Sequence, residues 1–306
     1  MRIYIVGSLN MDLVIRAARV PQGGETILGE GFLSNPGGKG ANQAVAVAKL
    51  GGEAYMVGCV GREFGADLLE TLQKYGVHAD HVRRETDLSS GIAVIIVADG
   101  DNRIILDTAS NGRTDEALVD RAFADAKEGD YLLVQLEIGL PTVAYALKEA
   151  KKRGMITVLN PAPAAKLPQA LYADCDWFVP NQTEAQFYTG IYPSDETSIR
   201  KCAEKLGKLG VKNVLITLGT DGSASVSKGV FRRVDPVPAA AVDTTAAGDT
   251  YVGAFVTRLS EGAEIETAMH FASTASALTV TRRGAQCAIP LRAEVEAYAK
   301  EQGVII

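Results

Sequence analysis

The sequence has few of the residues that build metal, redox and membrane sites. Its 306 residues include four cysteines, three histidines and one tryptophan, and no two cysteines form a C-x-x-C pair. Neither a zinc knuckle nor a redox motif is therefore indicated, and reduced thiols are expected. No stretch of about 18 apolar residues runs without a charge, so no transmembrane helix is expected. The N-terminus reaches Asn10 and Asp12 before an apolar signal region could form, which favours a cytoplasmic protein.

Two familiar phosphate-binding patterns are also missing. The Walker pattern fails because Leu33 stands where a glycine should precede Gly38-Lys39, and no G-x-G-x-x-G opens a helix after the first strand. A Walker-type NTPase and a Rossmann-type dehydrogenase are thus disfavoured. The net charge of −6, from 31 Lys+Arg and 37 Asp+Glu, argues against nucleic acid or a membrane surface as partner. Small anionic ligands stay possible, because local donors can hold them.

Apolar runs of strand length alternate with helical patterns through most of the chain. Strands are predicted at 2–6, 54–60, 131–135, 156–159, 177–179 and 213–217, and helices at 41–50, 64–75, 141–153, 184–189, 196–209, 250–260, 266–280 and 292–300. Repeated βαβ units predict an α/β fold with a mainly parallel central sheet flanked by helices. No Pro/Ser-rich linker or internal repeat divides the chain, so residues 1–306 are expected to form a single domain.

Two regions interrupt this alternation. Residues 13–16 with 30–34, and 91–97 with 103–107, have the pattern of strands joined by turns such as Asp99-Gly100, with no helix between partners. We predict a small β-sheet lid, inserted at about 13–34 and 91–107, that folds over the large domain. An antiparallel extension of the main sheet is the alternative.

The first of two glycine clusters lies at the start of a predicted helix. Residues 35–44 read NPGGKGANQA. Glycines let the backbone approach a ligand closely and expose N–H donors at the positive end of the helix. Lys39 and Asn42 add side-chain donors, which suits a polyhydroxylated ligand as well as an anion. The alternative is a glycine turn that only starts a helix.

The second cluster, VDTTAAGDT at 242–250, runs from an apparent strand end into a helix. Its small side chains uncover consecutive backbone N–H groups, so the turn is a candidate anion hole. Asp249 stands just inside the first helical turn, where a carboxylate should stay ionised and can act as a general base. A charge that merely favours the helix start is the other interpretation.

Together the two motifs resemble the ribokinase/PfkB family of carbohydrate kinases, and within it the ribokinase branch. The resemblance covers almost the whole chain. Shorter segments fit in register, namely GSLNMD at 7–12, QLE at 135–137, NPAPA at 160–164, PNQTE at 180–184, TLG at 217–219 with Gly222, and RGAQ at 283–286. The implied fold is ribokinase-like, with an inserted β-sheet lid.

The resemblance implies ATP-dependent phosphorylation of D-ribose at O5, giving D-ribose 5-phosphate and ADP. Asp249 would be the general base, and the N–H groups of Ala246, Ala247 and Gly248 would hold the transferring phosphoryl group. The sugar would be bound by Asn10, Asp12, Gly38, Lys39, Asn42, Glu137 and Asp249.

The same resemblance implies a nucleotide site, two cations and a partner. ATP would lie against Asn181, Thr217, Gly219 and Gly222, with Glu184 on the Mg²⁺ side, acting through bound water. A K⁺ ion would be held by Asp243, Thr245, Thr279, Arg282 and Gly284. A homodimer formed through the lid is also implied.

Two departures from the family pattern differ in what they imply. Many relatives have glycine at the position of Ala246, but the ribokinase branch often carries alanine there, so Ala246 is interpreted as a marker of that branch. Residues 107–111 read DTASN where a Gly-Ala-Asn run is typical near the sugar, which leaves the substrate open. A related kinase for 2-deoxyribose, fructose or a nucleoside is therefore an alternative. A non-catalytic sugar or nucleotide sensor, from another functional class, would be expected to lose the base that Asp249 supplies here.

Overall fold

A layer of strands lies at the centre of the protein, between two layers of helices. The computed structural model describes residues 1–99 and 101–306. The strands are β1 (Arg2–Val6), β2 (Asn10–Ala17), β3 (Gly29–Gly37), β4 (Glu53–Val60), β5 (His78–Arg84), β6 (Gly91–Ala98), β7 (Asp101–Asp107), β8 (Tyr131–Val134), β9 (Ile156–Leu159), β10 (Trp177–Phe178), β11 (Asn213–Thr217), β12 (Ser223–Ser227) and β13 (Val230–Val234). The helices are α1 (Lys39–Lys49), α2 (Gly65–Lys74), α3 (Glu116–Ala122), α4 (Leu140–Lys152), α5 (Gln169–Ala173), α6 (Gln182–Thr189), α7 (Glu196–Leu209), α8 (Ala247–Ser260), α9 (Ile265–Val280) and α10 (Arg292–Gln302).

Within the described residues, the main sheet has nine strands in the order β13-β12-β11-β10-β9-β8-β1-β4-β5. Pairing is parallel from β11 to β5, whereas β12 and β13 are antiparallel. Alternate residues of β1 pack into opposite cores: Ile3 and Ile5 join the cluster with α1, α8 and α9, and Tyr4 and Val6 join the cluster with α4 and α7. The predicted parallel sheet flanked by helices is confirmed.

A separate sheet of four strands, in the order β3-β2-β6-β7, stands apart from the main sheet in the part of the chain described. The alternative of an antiparallel extension is therefore wrong. Strand β2 begins at Asn10 rather than at residue 13, and β3 continues to Gly37 rather than ending at 34. Asn10 and Asp12 thus lie on a strand, not in a loop. Of the predicted Asp99-Gly100 turn, Asp99 has a left-handed φ of 54°, and Gly100 lies outside the described residues.

Five elements were not predicted from the sequence, namely β5, β12, β13, α3 and α5. Strands β5 and β13 are the two edges of the main sheet and carry polar sequences, HADHVRR and VFRRV, which lack the apolar runs of the central strands. All four cysteines are free. Among residues 1–99 and 101–306, no helix combines the length and the apolar character needed to cross a membrane.

Candidate active site

Glycines let the start of α1 pack against the chain that leaves β1. Gly38 has φ 89°, and a Cβ there would lie 2.7 Å from the backbone nitrogen of Asn10. A Cβ on Gly40 would lie 2.5 Å from the backbone nitrogen of Ser8. Side chains at either position would push α1 away from β2. The glycine cluster is therefore required by packing as well as by any ligand.

The first amides of α1 are used inside the protein, which differs from the expectation that they face a ligand. The Lys39 N–H donates to Glu137 Oε2 over 3.1 Å, and the Gly40 N–H donates to Ser8 Oγ over 3.2 Å. Ser8 Oγ in turn donates to Glu137 Oε2 over 2.6 Å. The Glu137 carboxylate thus stabilises the positive end of α1.

Asn10 is oriented from both sides of its amide. Its Oδ1 accepts a 2.7 Å hydrogen bond from Asn111 Nδ2, and its Nδ2 lies 3.4 Å from Glu137 Oε2. Asn111 also accepts from the backbone N–H of Leu9 over 2.9 Å. The departure at residues 107–111 therefore keeps an asparagine that holds a predicted sugar-binding residue in place.

Asp12 is a half-buried acid near other acids. A Cβ on Gly37 would lie 2.2 Å from Asp12 Oδ2, so only glycine leaves room for this carboxylate. Burial, followed by the negative charges of Glu137 and Asp249, raises the pKa of Asp12 to about 7. Its charge therefore changes close to neutral pH.

Asp249, in the first turn of α8, is 9% exposed. Its Oδ2 accepts from Asn42 Nδ2 over 2.9 Å, and its Oδ1 accepts from Gln43 Nε2 over 3.0 Å. Burial raises the pKa of Asp249, against the opposing effects of Lys39 and the two amides. Burial acts to lower the pKa of Lys39, but Asp249, Glu137 and Glu184 together raise it, so Lys39 carries its charge.

In the described chain, the turn at residues 243–246, which leads into α8, leaves backbone N–H groups free at the start of the helix. Ala246 has a left-handed φ of 60°, and the Ala247 N–H donates to the Thr244 carbonyl over 3.2 Å. Within the described ranges, the N–H groups of Ala246 and Gly248 have no hydrogen-bond acceptor. A Cβ on Gly248 would meet nothing within 4 Å, so open space lies in front of the turn. Free amides at a helix N-terminus form an anion-binding site.

A cavity of about 680 Å³ joins these features. Its walls come from β2, β6 and β7, the start of α1, Glu137, residues 241–246 and residues 283–285. Every predicted sugar-binding residue lines it: Asn10, Asp12, Gly38, Lys39, Asn42, Glu137 and Asp249. Of the predicted anion hole, Ala246 lines the cavity and Ala247 and Gly248 do not. The two sequence motifs therefore meet at one site.

The predicted nucleotide residues lie outside this cavity, where β10 and β11 end. Asn181 caps α6 in a reciprocal box, donating from its N–H to Glu184 Oε2 and accepting from the Glu184 N–H, each over 2.8 Å. Asn181 also forms a parallel bridge to Thr217. Gly222 has φ 85°, and a Cβ there would lie 2.1 Å from the Val234 carbonyl oxygen. Gly219, with φ 59°, begins the short turn between Thr217 and Gly222.

Of the predicted K⁺ residues, Thr245 and Gly284 are hydrogen-bonded to Asp243. Asp243 accepts from the Thr245 N–H over 3.0 Å and from the Gly284 N–H over 3.0 Å. Burial acts to raise the pKa of Asp243, but these hydrogen bonds outweigh it and lower the pKa, so the carboxylate stays ionised. Thr279 is buried on α9, and the Arg282 side chain pairs with Glu294. In the chain as described, no group of three or more His, Cys, Asp or Glu could hold a metal ion.

Comparison with known proteins decides the family. The model of the pfkB family carbohydrate kinases matches residues 2–292. The chain belongs to this family. This carbohydrate kinase is 42% identical to a ribokinase of Schizosaccharomyces pombe, over 96% of each chain. It is 36% identical to a deoxyribokinase of Salmonella typhi, over 95% of this chain and 96% of the other.

A solved structure gives the same result for the fold. The Arabidopsis thaliana ribokinase complexed with ribose and ATP is 33% identical and superimposes with a TM-score of 0.88 over 98% of both chains. The predicted carbohydrate kinase with a ribokinase-like fold is thus confirmed. Four polar residues that hold the site together were not predicted as part of it: Ser8, Gln43, Asn111 and Asn160. Only Gln43 could have been found from the sequence, because its amide is adjacent to the predicted sugar-binding residue Asn42 in the first motif.

Proposed function

We propose that this kinase transfers the γ-phosphoryl group of ATP to O5 of D-ribose, giving D-ribose 5-phosphate and ADP. One observation carries the proposal: Asp249 lines the cavity together with the predicted sugar-binding residues and directly follows the open amides at the start of α8. A base and an anion site that share one helix end suit transfer of a phosphoryl group to a hydroxyl. The similarity to ribokinases of two eukaryotes supports ribose as the acceptor.

Asp249 acts as the general base in this reaction. It accepts the proton of the sugar O5 hydroxyl as that oxygen attacks the γ-phosphorus, and the bond from phosphorus to the bridging oxygen breaks to release ADP. The N–H groups of Ala246 and Gly248, which have no acceptor among the described residues, stabilise the charge on the transferring phosphoryl oxygens, whereas the Ala247 N–H is already held by the Thr244 carbonyl. The half-buried Lys39 ammonium lines the cavity and adds positive charge there.

Sugar recognition uses paired polar groups on β2 and α1. Carboxylates and amides can each engage neighbouring hydroxyls of a pentose. Asn42 Oδ1 is buried without a partner among the described residues, which leaves it as an acceptor for a hydroxyl. The full set is Asn10, Asp12, Gly38, Lys39, Asn42, Glu137 and Asp249.

The neighbouring surfaces would hold the nucleotide and the cations. Asn181, Thr217, Gly219 and Gly222 would line the nucleotide groove, and Glu184 would hold Mg²⁺ through bound water. Asp243, Thr245, Thr279, Arg282 and Gly284 would hold K⁺, since an ionised carboxylate with backbone oxygens suits a weakly charged hard cation. When bound, the two cations neutralise phosphate charge. The chain's own part is to keep Asp243 ionised and Glu184 at the start of α6.

The small sheet acts as a lid in a single kinase domain spanning residues 1–306. Its strands line the same cavity as Asp249, so closure excludes water from the phosphoryl group. It also exposes large apolar side chains, among them Phe32 at 63% and Ile105 at 69%. A second copy of the chain, presenting the same surface, would cover them in a homodimer. The enzyme works on small cytoplasmic metabolites, without nucleic acid or membrane partners.

A kinase for 2-deoxyribose is the second candidate, favoured by the similarity to the Salmonella typhi deoxyribokinase. The two candidate activities are distinguished by measuring the rate of ADP release with D-ribose, 2-deoxyribose, fructose and nucleosides, each with and without K⁺. We expect the highest kcat/KM with D-ribose and a rise on adding K⁺. A higher kcat/KM with another sugar would reassign the substrate. Sugar and nucleotide binding without ADP release would indicate a sensor instead.

A further inference from the structure

The Asp249 carboxylate is held by a side chain that does not reach the cavity. Gln43 is 0% exposed, and its Nε2 donates to Asp249 Oδ1 over 3.0 Å. The next residue toward the N-terminus, Asn42, donates to Oδ2 and lines the cavity. The two oxygens of one carboxylate therefore have different surroundings. Oδ1 is bound by an enclosed side chain, and Oδ2 is bound by a side chain that lines the cavity.

Neighbouring amides fix the orientation of the Gln43 side chain. Its Oε1 accepts a hydrogen bond from Gln135 Nε2, while its Nε2 also donates to Asn160 Oδ1 over 3.0 Å. Asn160 Nδ2 in turn donates to the Val179 carbonyl oxygen over 2.8 Å. A reversed Gln43 amide would place its oxygen against Asp249 and its NH₂ group against Gln135. The network thus keeps a donor aimed at the base.

Two glycines allow this network to form. A Cβ on Gly7 would lie 2.2 Å from Gln135 Oε1, and a Cβ on Gly253 would lie 3.0 Å from the Gln43 carbonyl oxygen. Gly7 leaves room for the Gln135 amide beside β1. Gly253 lets α8 approach α1 closely, which brings Asp249 within reach of Gln43.

We propose that Gln43 is a positioning residue, which turns the Asp249 carboxylate so that Oδ2 meets the sugar hydroxyl and keeps the buried base ionised. This inference rests on the proposed function of Asp249 as the base. Burial raises the pKa of Asp249, and the charge of Glu137 adds to this, whereas the charge of Lys39 and the hydrogen bonds from Asn42 and Gln43 act in the opposite direction. A hydrogen bond to a charged group inside a protein has a large effect on that balance.

The test replaces the donor with an apolar side chain of similar length, Gln43→Met. Loss of the hydrogen bond raises the pKa of Asp249, so the acidic limb of kcat, measured at saturating sugar to exclude the effect of Asp12 on KM, moves to higher pH by about one unit. At neutral pH we expect kcat to fall roughly 10- to 100-fold. The KM for the sugar should change less than about twofold, because Gln43 does not line the cavity.

A matched control is Thr257→Val. Thr257 is a buried residue of α8 whose hydroxyl donates to the Gly253 carbonyl over 2.8 Å, away from Asp249. This variant should keep the wild-type pH profile. If Gln43→Met does not fold, Gln135→Met removes the donor to Gln43 Oε1 without touching Asp249 and should shift the acidic limb in the same direction.

A second readout is independent of turnover. The infrared carboxyl band of Asp249, isolated by subtracting the spectrum of an Asp249→Asn variant, reports its protonation directly. The band of the protonated carboxyl group grows as the pH is lowered. In Gln43→Met this growth should begin at a higher pH than in the wild type. An unshifted band, or a lower kcat with an unmoved acidic limb, would overturn the proposal. A wild type that releases no ADP with any sugar would refute the proposed function, while the band would still decide the role of Gln43.

Discussion

Asn42 and Asp249 are 207 residues apart in the chain, yet a 2.9 Å hydrogen bond joins Asn42 Nδ2 to Asp249 Oδ2. One residue belongs to the glycine-rich start of α1 and the other to the small-residue start of α8. Packing of these two helices therefore brings the sugar side and the phosphoryl side of the site together. Substitutions on each side therefore affect different parts of the reaction.

The first prediction concerns the pH dependence of sugar binding. Asp12, with a pKa of about 7, is ionised above that value and protonated below it. The ionised form accepts hydrogen bonds from two hydroxyls, so sugar should bind the ionised form more tightly. At pH 6 roughly a tenth of the enzyme is ionised at Asp12, and the KM for the sugar should rise roughly tenfold from its value at pH 8. Initial rates across this pH range check the change.

The control for this prediction is Asp12→Asn, which keeps the shape of the side chain but cannot titrate. Its KM for the sugar should be higher than that of the wild type at pH 8 and nearly constant down to pH 6. The KM for ATP should not follow the same curve in either enzyme. A wild-type sugar KM that is flat from pH 6 to pH 8 would show that Asp12 does not titrate there.

The second prediction concerns backbone strain in the anion-hole turn. Ala246 has φ 60°, a left-handed conformation that costs an alanine about 1 kcal/mol and costs glycine little. Ala246→Gly should therefore increase the free energy of unfolding by up to about 1 kcal/mol. Urea denaturation with an unchanged m-value checks this.

Ala247→Gly removes the same methyl group from the next residue, which is helical. Because glycine is less favourable than alanine in a helix, this variant should lose up to about 1 kcal/mol of stability. Equal stability changes in the two variants would contradict the assignment of strain to Ala246.

The third prediction concerns the exposed apolar face of the small sheet. Ile105 and Val94 face each other across β7 and β6 and are 69% and 40% exposed. Ile105→Asp should convert a homodimer to a monomer in sedimentation experiments, because a buried unpaired charge strongly disfavours an apolar contact. Leu28→Asp is the control, since Leu28 is 96% exposed but lies between β2 and β3. A dimer that survives Ile105→Asp would place the interface elsewhere.

The sequence predicted the central strands better than the edges of the sheet. Strands β1 and β4 are apolar runs buried on both faces, and their pattern is clear from the residues alone. The edge strand β5 has half-exposed polar residues, so it has neither a buried run nor strict alternation. Helix α3 was missed although Asp115 caps it by accepting from the Leu118 N–H. An N-cap signal before only seven residues of helix is weak.

The residues that carry the chemistry of the site were easier to predict than the residues that hold them in position. Asp249 and Asn42 stand in recognisable motifs, and both line the cavity. The contact of Gln43 with Asn160, 117 residues away, depends on how α1 packs over the main sheet. Local sequence does not specify such a contact. For the same reason, the use of the first α1 amides by Glu137 and Ser8 was not foreseen.

The most direct test of the whole account is the initial rate of ADP release with D-ribose, measured for the wild type and for Asp249→Asn. The substitution keeps the shape of the side chain and removes its ability to accept the hydroxyl proton. We predict ribose-dependent ADP release by the wild type and a loss of at least roughly 10³-fold in the variant, with ribose and ATP binding largely retained. Near-normal turnover by Asp249→Asn would contradict the assignment of Asp249 as the base.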